Sequence, residues 1–211
     1  PTKQEQQYID NERLRCKFDF KYFANRYAYI NLISIDGSAS GVNRLGTVGF
    51  MRPQQVFLDR MAKTEERMYD LLDKGYPVDG IRFFINKGRQ LHFTAICRML
   101  SNHRSFLWPD TQALAASAND DMVHELYARD EIMYNYLPWF LRPDQSDNVK
   151  NQSMGFKTLG NEILYHQANQ HGAMGSGRSI KVAHMTECAS WDEWVSPGTL
   201  QNKLDNHLFP A

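Results

Sequence analysis

Length and composition predict a folded chain with one large domain, or one domain with a small appendage. The sequence has 211 residues, of which 42% are hydrophobic and 12% aromatic, and these can fill a sizeable core. Lysine plus arginine and aspartate plus glutamate each total 24, so the formal net charge of zero excludes a globally basic nucleic-acid coat.

The cysteine pattern and the polar N-terminus exclude further classes. The three cysteines, Cys16, Cys97 and Cys188, lie far apart without a CxxC pair, so neither a zinc ribbon nor a disulfide framework is expected. Residues 1–15 are too polar for a signal peptide, and no apolar run approaches the length of a membrane span. We therefore expect a reduced, soluble, cytoplasmic protein.

The first third of the chain is predicted to be largely helical. Residues 5–31 mix charged and aromatic side chains and suggest one or two helices packed on a larger body. Residues 34–53 are rich in glycine and serine, which predicts a loop or a short hairpin. Pro53 then opens a helix whose apolar residues recur at helical spacing as far as Leu72, and Gly-Tyr-Pro at 75–77 ends it.

The middle of the chain alternates short apolar runs with helical patterns. The runs IRFFI at 81–85 and ALAAS at 113–117 have the length of strands. Apolar residues at 95–100 fit one face of a helix between these runs, and those at 122–132 fit a longer helix ending near Pro138.

Two further strands are predicted in the last third. Residues 156–169 alternate in the manner of a strand around Ile163 and Tyr165, and residues 179–185 form another short run with an apolar bias. Strands that alternate with helices favour an α/β layered domain with a mainly parallel sheet.

The stretch IRFFINKGRQLHFT at 81–94 has the order of a phosphate-binding loop, namely strand, turn and helix start. Thr94 stands where a hydroxyl would face a metal ion. The common pattern would put glycine at 87 and 92 and lysine at 93, whereas the chain has Lys87, His92 and Phe93. This stretch by itself leaves open both a nucleotide site and an ordinary turn.

Two other segments add polar groups to this hypothesis. Glu187 follows the predicted strand at 179–185, where the ligands of open α/β sheets bind, although it could also simply face solvent. The residue before it is Thr186, where nucleotide hydrolases commonly have a metal-holding aspartate. Gln54 or Gln55, at the start of the helix that Pro53 opens, could pair with an adenine edge, although surface glutamines are common.

In combination, five segments resemble the N-terminal ATPase domain of a tailed-bacteriophage terminase large subunit. They are FKYFANRYAYI (20–30), MRPQQVFLDRM (51–61), KGRQLHFTA (87–95), NYLPWF (135–140) and GSGRSIKVAHMTECASW (175–191). In this family some members carry the loop lysine at the start of the loop, and some have Thr-Glu in place of Asp-Glu. The resemblance extends over almost the whole chain.

The resemblance implies a role for each matching residue. Lys87 would neutralise the β- and γ-phosphates, Arg89 would be the loop arginine, and Arg178 would be the arginine offered to a neighbouring subunit. Thr94 would ligate Mg²⁺, and Glu187 would be the catalytic carboxylate and a second metal contact. The ATP-binding set comprises Gln54, Gln55, Lys87, Gly88, Arg89, Gln90, Leu91, His92, Phe93 and Thr94.

The resemblance also implies a fold and an activity. The fold would be a three-layer P-loop NTPase of the RecA-like (ASCE) kind, with a helical lid over residues 1–50 and an ATPase core over residues 51–211. The nuclease domain of the family is not expected in this chain. The activity would be Mg²⁺-dependent ATP hydrolysis that moves double-stranded DNA into a procapsid.

The expected partners are double-stranded DNA, the terminase small subunit and the portal protein, on which the chain would form a homo-oligomeric ring in the host cytoplasm, away from membranes. Two alternatives stay open. Because His92 and Thr186 replace the usual glycine and aspartate, the domain could be a nucleotide-binding assembly module with little hydrolysis. It could also be a helicase- or recombinase-like ATPase.

Overall fold

The structure is a computed structural model that describes residues 1–33, 39–78, 80–86, 92–146, 153–157, 159–168, 179–188, 191 and 198. Its helices are α1 (Lys3–Phe18), α2 (Phe20–Tyr27), α3 (Leu45–Val48), α4 (Arg52–Asp73), α5 (Phe93–Leu107) and α6 (Asp120–Asn135). Its strands are β1 (Tyr29–Ile33), β2 (Ala39–Arg44), β3 (Gln112–Ser117), β4 (Ser153–Phe156), β5 (Asn161–Gln167) and β6 (Ile180–Met185).

The two N-terminal helices are delimited by side-chain caps. The Thr2 hydroxyl accepts from the Glu5 main-chain N–H while the Glu5 carboxylate accepts from that of Thr2, which is a capping box for α1. Asp19 both ends α1 and caps α2, because its carboxylate accepts from the Tyr22 N–H at 2.9 Å. The prediction of one or two helices over residues 5–31 is therefore confirmed.

A hairpin follows, in which β1 and β2 pair antiparallel. It begins at Tyr29, earlier than the predicted 34–53 segment, and only part of that segment lies in it. The Leu45 N–H then donates to the Ala28 carbonyl at 2.9 Å, which ties the short α3 back to the end of α2. The β-branched and aromatic residues of β1 favour a strand. The prediction missed the start of the hairpin because it relied on the glycine and serine content of residues 34–53.

Helix α4 begins and ends close to the predicted positions. Pro53 lies in its first turn, and Gly75 follows its end with a φ of +78°. Gln54 and Leu58 are its buried residues, so most of this 22-residue helix is exposed along the surface. No helix of the described part of the chain is long and apolar enough to cross a membrane.

The strand predicted at 81–85 is wrong. Residues 80–86 have no regular secondary structure, and the side chain of Phe84 is 87% exposed. Phe83 instead packs its ring edge on Phe57 of α4, with 5.4 Å between the ring centroids. A short apolar run predicts burial but does not identify the element against which it packs. Here the described contact is with α4 rather than with the sheet.

The central sheet has the order β4-β5-β3-β6. Strand β3 pairs in parallel with β5 and with β6, and β4 pairs antiparallel with β5. The predicted strands at 113–117 and 179–185 are therefore confirmed, as are the strand predicted around Ile163 and Tyr165 and the mainly parallel sheet. The uninterrupted small apolar sequence of β3 suits a strand that is buried on both faces.

Hydrophobic packing covers both faces of this sheet. On one face Ala113 and Ala115 of β3 pack with Ile96 of α5 and Leu126 of α6, in a cluster that also contains Phe23 of α2. The opposite face holds a second cluster. It contains Leu114, Ala116, Ala118, Ala168 and Trp191. The fold is thus α/β with a mixed, mostly parallel sheet, and it is compatible with three layers.

Candidate functional site

The start of α5 lies at the carboxyl edge of the central sheet. The end of α5 is tied to the opposite edge, because the Asn161 amide at the start of β5 donates to the carbonyls of Ser105 at 2.7 Å and Trp108 at 2.6 Å. The 15 residues of α5 span about 22 Å, which matches the roughly 20 Å of the six-residue β3. The first turn of α5 therefore reaches the edge where the parallel strands end.

His92 precedes α5 in the left-handed conformation, with φ 49° and ψ 28°. Glycine commonly adopts this conformation in tight loops, and histidine adopts it more readily than most other residues. The helix start has no side-chain cap, and Thr94 is half-buried in the first turn. Phe93 is buried and packs its ring edge on Phe57, so its side chain belongs to the core and only its main-chain N–H suits a ligand.

Glu187 lies at the same edge, directly beyond β6. The Thr186 N–H extends the pairing by donating to the Ala116 carbonyl at 2.9 Å. The buried Trp191 donates its indole N–H to the Thr186 carbonyl at 3.1 Å, which holds the chain after the strand. Glu187 itself is exposed and has a φ of +59°. Among the described residues, the only non-glycine residues with a positive φ are His92, Asp110 and Glu187.

The two glutamines at the start of α4 have roles in that helix. Gln54 is 4% exposed, and its amide oxygen accepts from the Met51 N–H at 2.9 Å. The side-chain amide of the exposed Gln55 donates to the Phe50 carbonyl at 3.0 Å. Both amides therefore satisfy main-chain groups near the start of α4. Their predicted contact with adenine stays a prediction.

The remaining predicted site residues lie outside the described residues. These are Lys87, Gly88, Arg89, Gln90, Leu91 and Arg178. The structure thus places His92, Phe93, Thr94 and Glu187 at the same edge of the sheet, and the roles of all the predicted site residues stay predictions. Across the described residues, no group of three or more His, Cys, Asp or Glu side chains is arranged to hold a metal ion.

Sequence reasoning missed a buried ionic cluster behind the start of α5. Arg98 on α5 and Asp130 on α6 are 1% and 0% exposed, and the Arg98 Nε lies 3.1 Å from each Asp130 oxygen. Arg98 Nη2 also donates to Asp130. Asn102 and Tyr165 donate to the same carboxylate at 2.7 Å and 2.6 Å. Arg98 and Asn102 stand four residues apart and so lie on one face of α5, and this spacing is the signal that could have revealed them.

This cluster is held in defined protonation states. Burial and the neighbouring Asp130 charge raise the pKa of Tyr165, so its phenol stays a donor. Burial opposes the charge of Arg98, but the attraction of Asp130 outweighs it and raises the pKa of Arg98. On the sheet below, burial and then the charges of Arg98 and Arg129 lower the pKa of His184 to about 3.

Comparison with family models and with curated proteins adds no relative. No model of a protein family matches the chain, and a comparison with curated proteins finds no significant match either.

Proposed function

We propose that the chain is the ATPase motor domain of a terminase large subunit. One observation carries the proposal: the start of α5 and the Thr-Glu after β6 both lie at the carboxyl edge of a mostly parallel sheet. His92 and Glu187 at this edge both adopt the left-handed conformation. Side chains in sparsely populated conformations cluster at functional sites, because the surrounding fold must sustain their strain. The order of the five matching segments supports the same family.

In this proposal each residue acts on the phosphates of ATP. Thr94 and Glu187 offer hydroxyl and carboxylate oxygens, the donors that Mg²⁺ prefers, and such sites commonly use one or two carboxylates beside the phosphates. Bound Mg²⁺ would supply neutralisation of the phosphate charge. Glu187 would orient the attacking water, and Lys87 and Arg89 would hold the phosphates. Arg178 would reach the site of a neighbouring subunit.

The wider assignment rests on the resemblance. Hydrolysis would drive double-stranded DNA into a procapsid from a ring of chains on the portal protein, with the small subunit delivering the DNA. The ring would form in the host cytoplasm.

A nucleotide-binding assembly module with little hydrolysis is the second candidate. The observation that favours it is the absence of a strand at residues 80–86, since a phosphate loop is normally held between a strand and a helix. Thr186 is also a weaker metal anchor than an aspartate, because it brings no negative charge. In this candidate ATP would fix the geometry between subunits without turnover.

The test is ATP turnover of Lys87→Ala and Glu187→Gln, with DNA present. Lys63→Ala and Glu66→Gln on the exposed surface of α4 make the same changes of charge elsewhere and serve as controls. We expect both site variants to lose at least about 100-fold in turnover while the controls keep the parent rate. Equal rates in all four variants would refute the site. ATP binding by the parent without phosphate release would select the assembly module.

A further inference from the structure

A small cavity lies between the start of α5, the side of α6 and strand β1. Its volume is about 50 Å³, and it is lined by Tyr29, Ile30, His92, Ala95, Arg98, Arg129 and Met133. One water molecule needs roughly 10–15 Å³ by the same measure, so the cavity has room for a small polyatomic ion but not for a nucleoside.

The first turn of α5 borders this cavity. His92 and Ala95 flank the helix start, and the His92 side chain caps none of the first N–H groups. Such N–H groups have no acceptor within their own helix, and together with the aligned peptide dipoles they attract anions.

Arg98 supplies an unpartnered donor in the wall of the cavity. The side chain is 1% exposed, and its Nε and Nη2 are both engaged by Asp130. The third nitrogen, Nη1, is buried and has no hydrogen-bond partner among the described residues. A buried donor without an acceptor is unfavourable, and an oxyanion in the cavity would satisfy it. The planar guanidinium is the group best suited to bind such an ion.

Two arginines, Arg98 and Arg129, line the cavity. The charge of Arg98 is balanced by that of Asp130. Arg129 then adds a second cation, whose side chain is 36% exposed and lies 3.5 Å from the exposed Glu125 carboxylate. An ion pair of this length at the surface binds weakly, so Arg129 can turn to a ligand.

We propose that this cavity binds one phosphate-type oxyanion, held by Arg98 Nη1, Arg129 and the N–H groups at the start of α5. The ligand is either free inorganic phosphate or the terminal phosphoryl group of a nucleotide. The proposal of an oxyanion site does not depend on ATP hydrolysis, and only the assignment of the ion to a nucleotide rests on the proposed function.

The test is calorimetric titration of inorganic phosphate into the full chain. The variants are Arg129→Gln, Ala95→Leu, which fills the cavity without a change of charge, and the control Arg67→Gln on the exposed face of α4. We expect saturable binding at one site, weakened at least about fivefold by Arg129→Gln and by Ala95→Leu but unchanged in the control. Thermal melting confirms that each variant is folded. No saturable binding by the parent, or equal affinity in Arg129→Gln and Arg67→Gln, would overturn the proposal.

A second titration identifies the source of the ion. If a non-hydrolysable ATP analogue with Mg²⁺ competes with phosphate, the cavity takes the terminal phosphoryl group; if both bind together, it takes the free ion. Phosphate affinity is also measured in Lys87→Ala and Glu187→Gln. Retained affinity in these variants supports a separate site, and phosphate binding by a parent without ATP turnover supports the cavity while refuting the ATPase.

Discussion

The buried cluster around Asp130 makes the strongest stability prediction for this fold. The change Asp130→Asn removes the negative charge that balances Arg98, while both residues remain almost fully buried. The Asp130 carboxylate accepts hydrogen bonds from Asn102 at 2.7 Å and from Tyr165 at 2.6 Å, one on each oxygen. An asparagine amide has only one acceptor oxygen, so it cannot accept both bonds in the same way. An uncompensated buried charge then lies between α5, α6 and the sheet.

Removal of one partner of a buried ion pair lowers the free energy of unfolding by about 3–5 kcal/mol. For a chain of 211 residues this corresponds to a fall in melting temperature of roughly 6–20 °C. Replacement of both charges, in Arg98→Met with Asp130→Leu, removes the uncompensated charge, and we expect it to recover at least half of the loss. The remaining deficit would come from the unpaired groups of Asn102 and Tyr165.

The assay is urea unfolding followed by circular dichroism, with the midpoint and the slope compared between variants. Asp59→Asn is the matched control, because Asp59 forms an ion pair of 2.5 Å with Lys21 in which both side chains are about half exposed, and it should lose little stability. The reasoning is refuted if Asp130→Asn is as stable as Asp59→Asn. It is equally refuted if the double variant is no more stable than Asp130→Asn.

Two further predictions concern pH and close packing. Burial lowers the pKa of His103 to about 4 from an ordinary 6.5, so below pH 6.5 the unfolded chain binds a proton that the folded chain does not. The free energy of unfolding should therefore fall by roughly 3 kcal/mol as the pH drops from 6.5 to 4. In urea unfolding at several pH values, His103→Gln should remove this part of the pH dependence. An unchanged pH dependence would contradict the burial of a neutral imidazole. Gly46→Ala should lower stability by roughly 1–3 kcal/mol, although alanine favours helices, because the added Cβ would lie 2.0 Å from the Asn25 carbonyl oxygen. Gly80→Ala, where nothing lies within 4 Å of the new Cβ, is its control in thermal melting, and equal melting temperatures would show that the close approach does not exist.

Local signals in the chain were enough for most helices and for three strands. Pro53 and Gly75 bound α4, and the side chain of Asn119 caps α6 by accepting from the Met122 N–H at 3.0 Å. These features act within one turn of chain, so they can be read without knowledge of the fold. The position of Glu187 was predictable for a similar reason, because a residue that follows a parallel strand lies at a known edge of the sheet.

The features that the sequence did not predict depend on contacts between distant segments of the chain. IRFFI at 81–85 has the composition of a strand, but a strand exists only where a neighbour accepts its hydrogen bonds, and the described residues offer it α4 instead. Arg98 and Asp130 are separated by 32 residues, and no local pattern couples two charges across that distance. Their pairing became visible only once α5 and α6 were packed side by side.

By itself, the sequence determined the α/β class, the mainly parallel sheet and the position of Glu187 directly after a parallel strand. These properties follow from apolar periodicity and from the direction of short connections, which are local in the chain. The tertiary structure alone decided that His92 takes the left-handed conformation, that Arg98 is buried against Asp130, and that a cavity remains beside them. Burial, charge balance and free volume depend on contacts between distant segments, so only the packed molecule defines them.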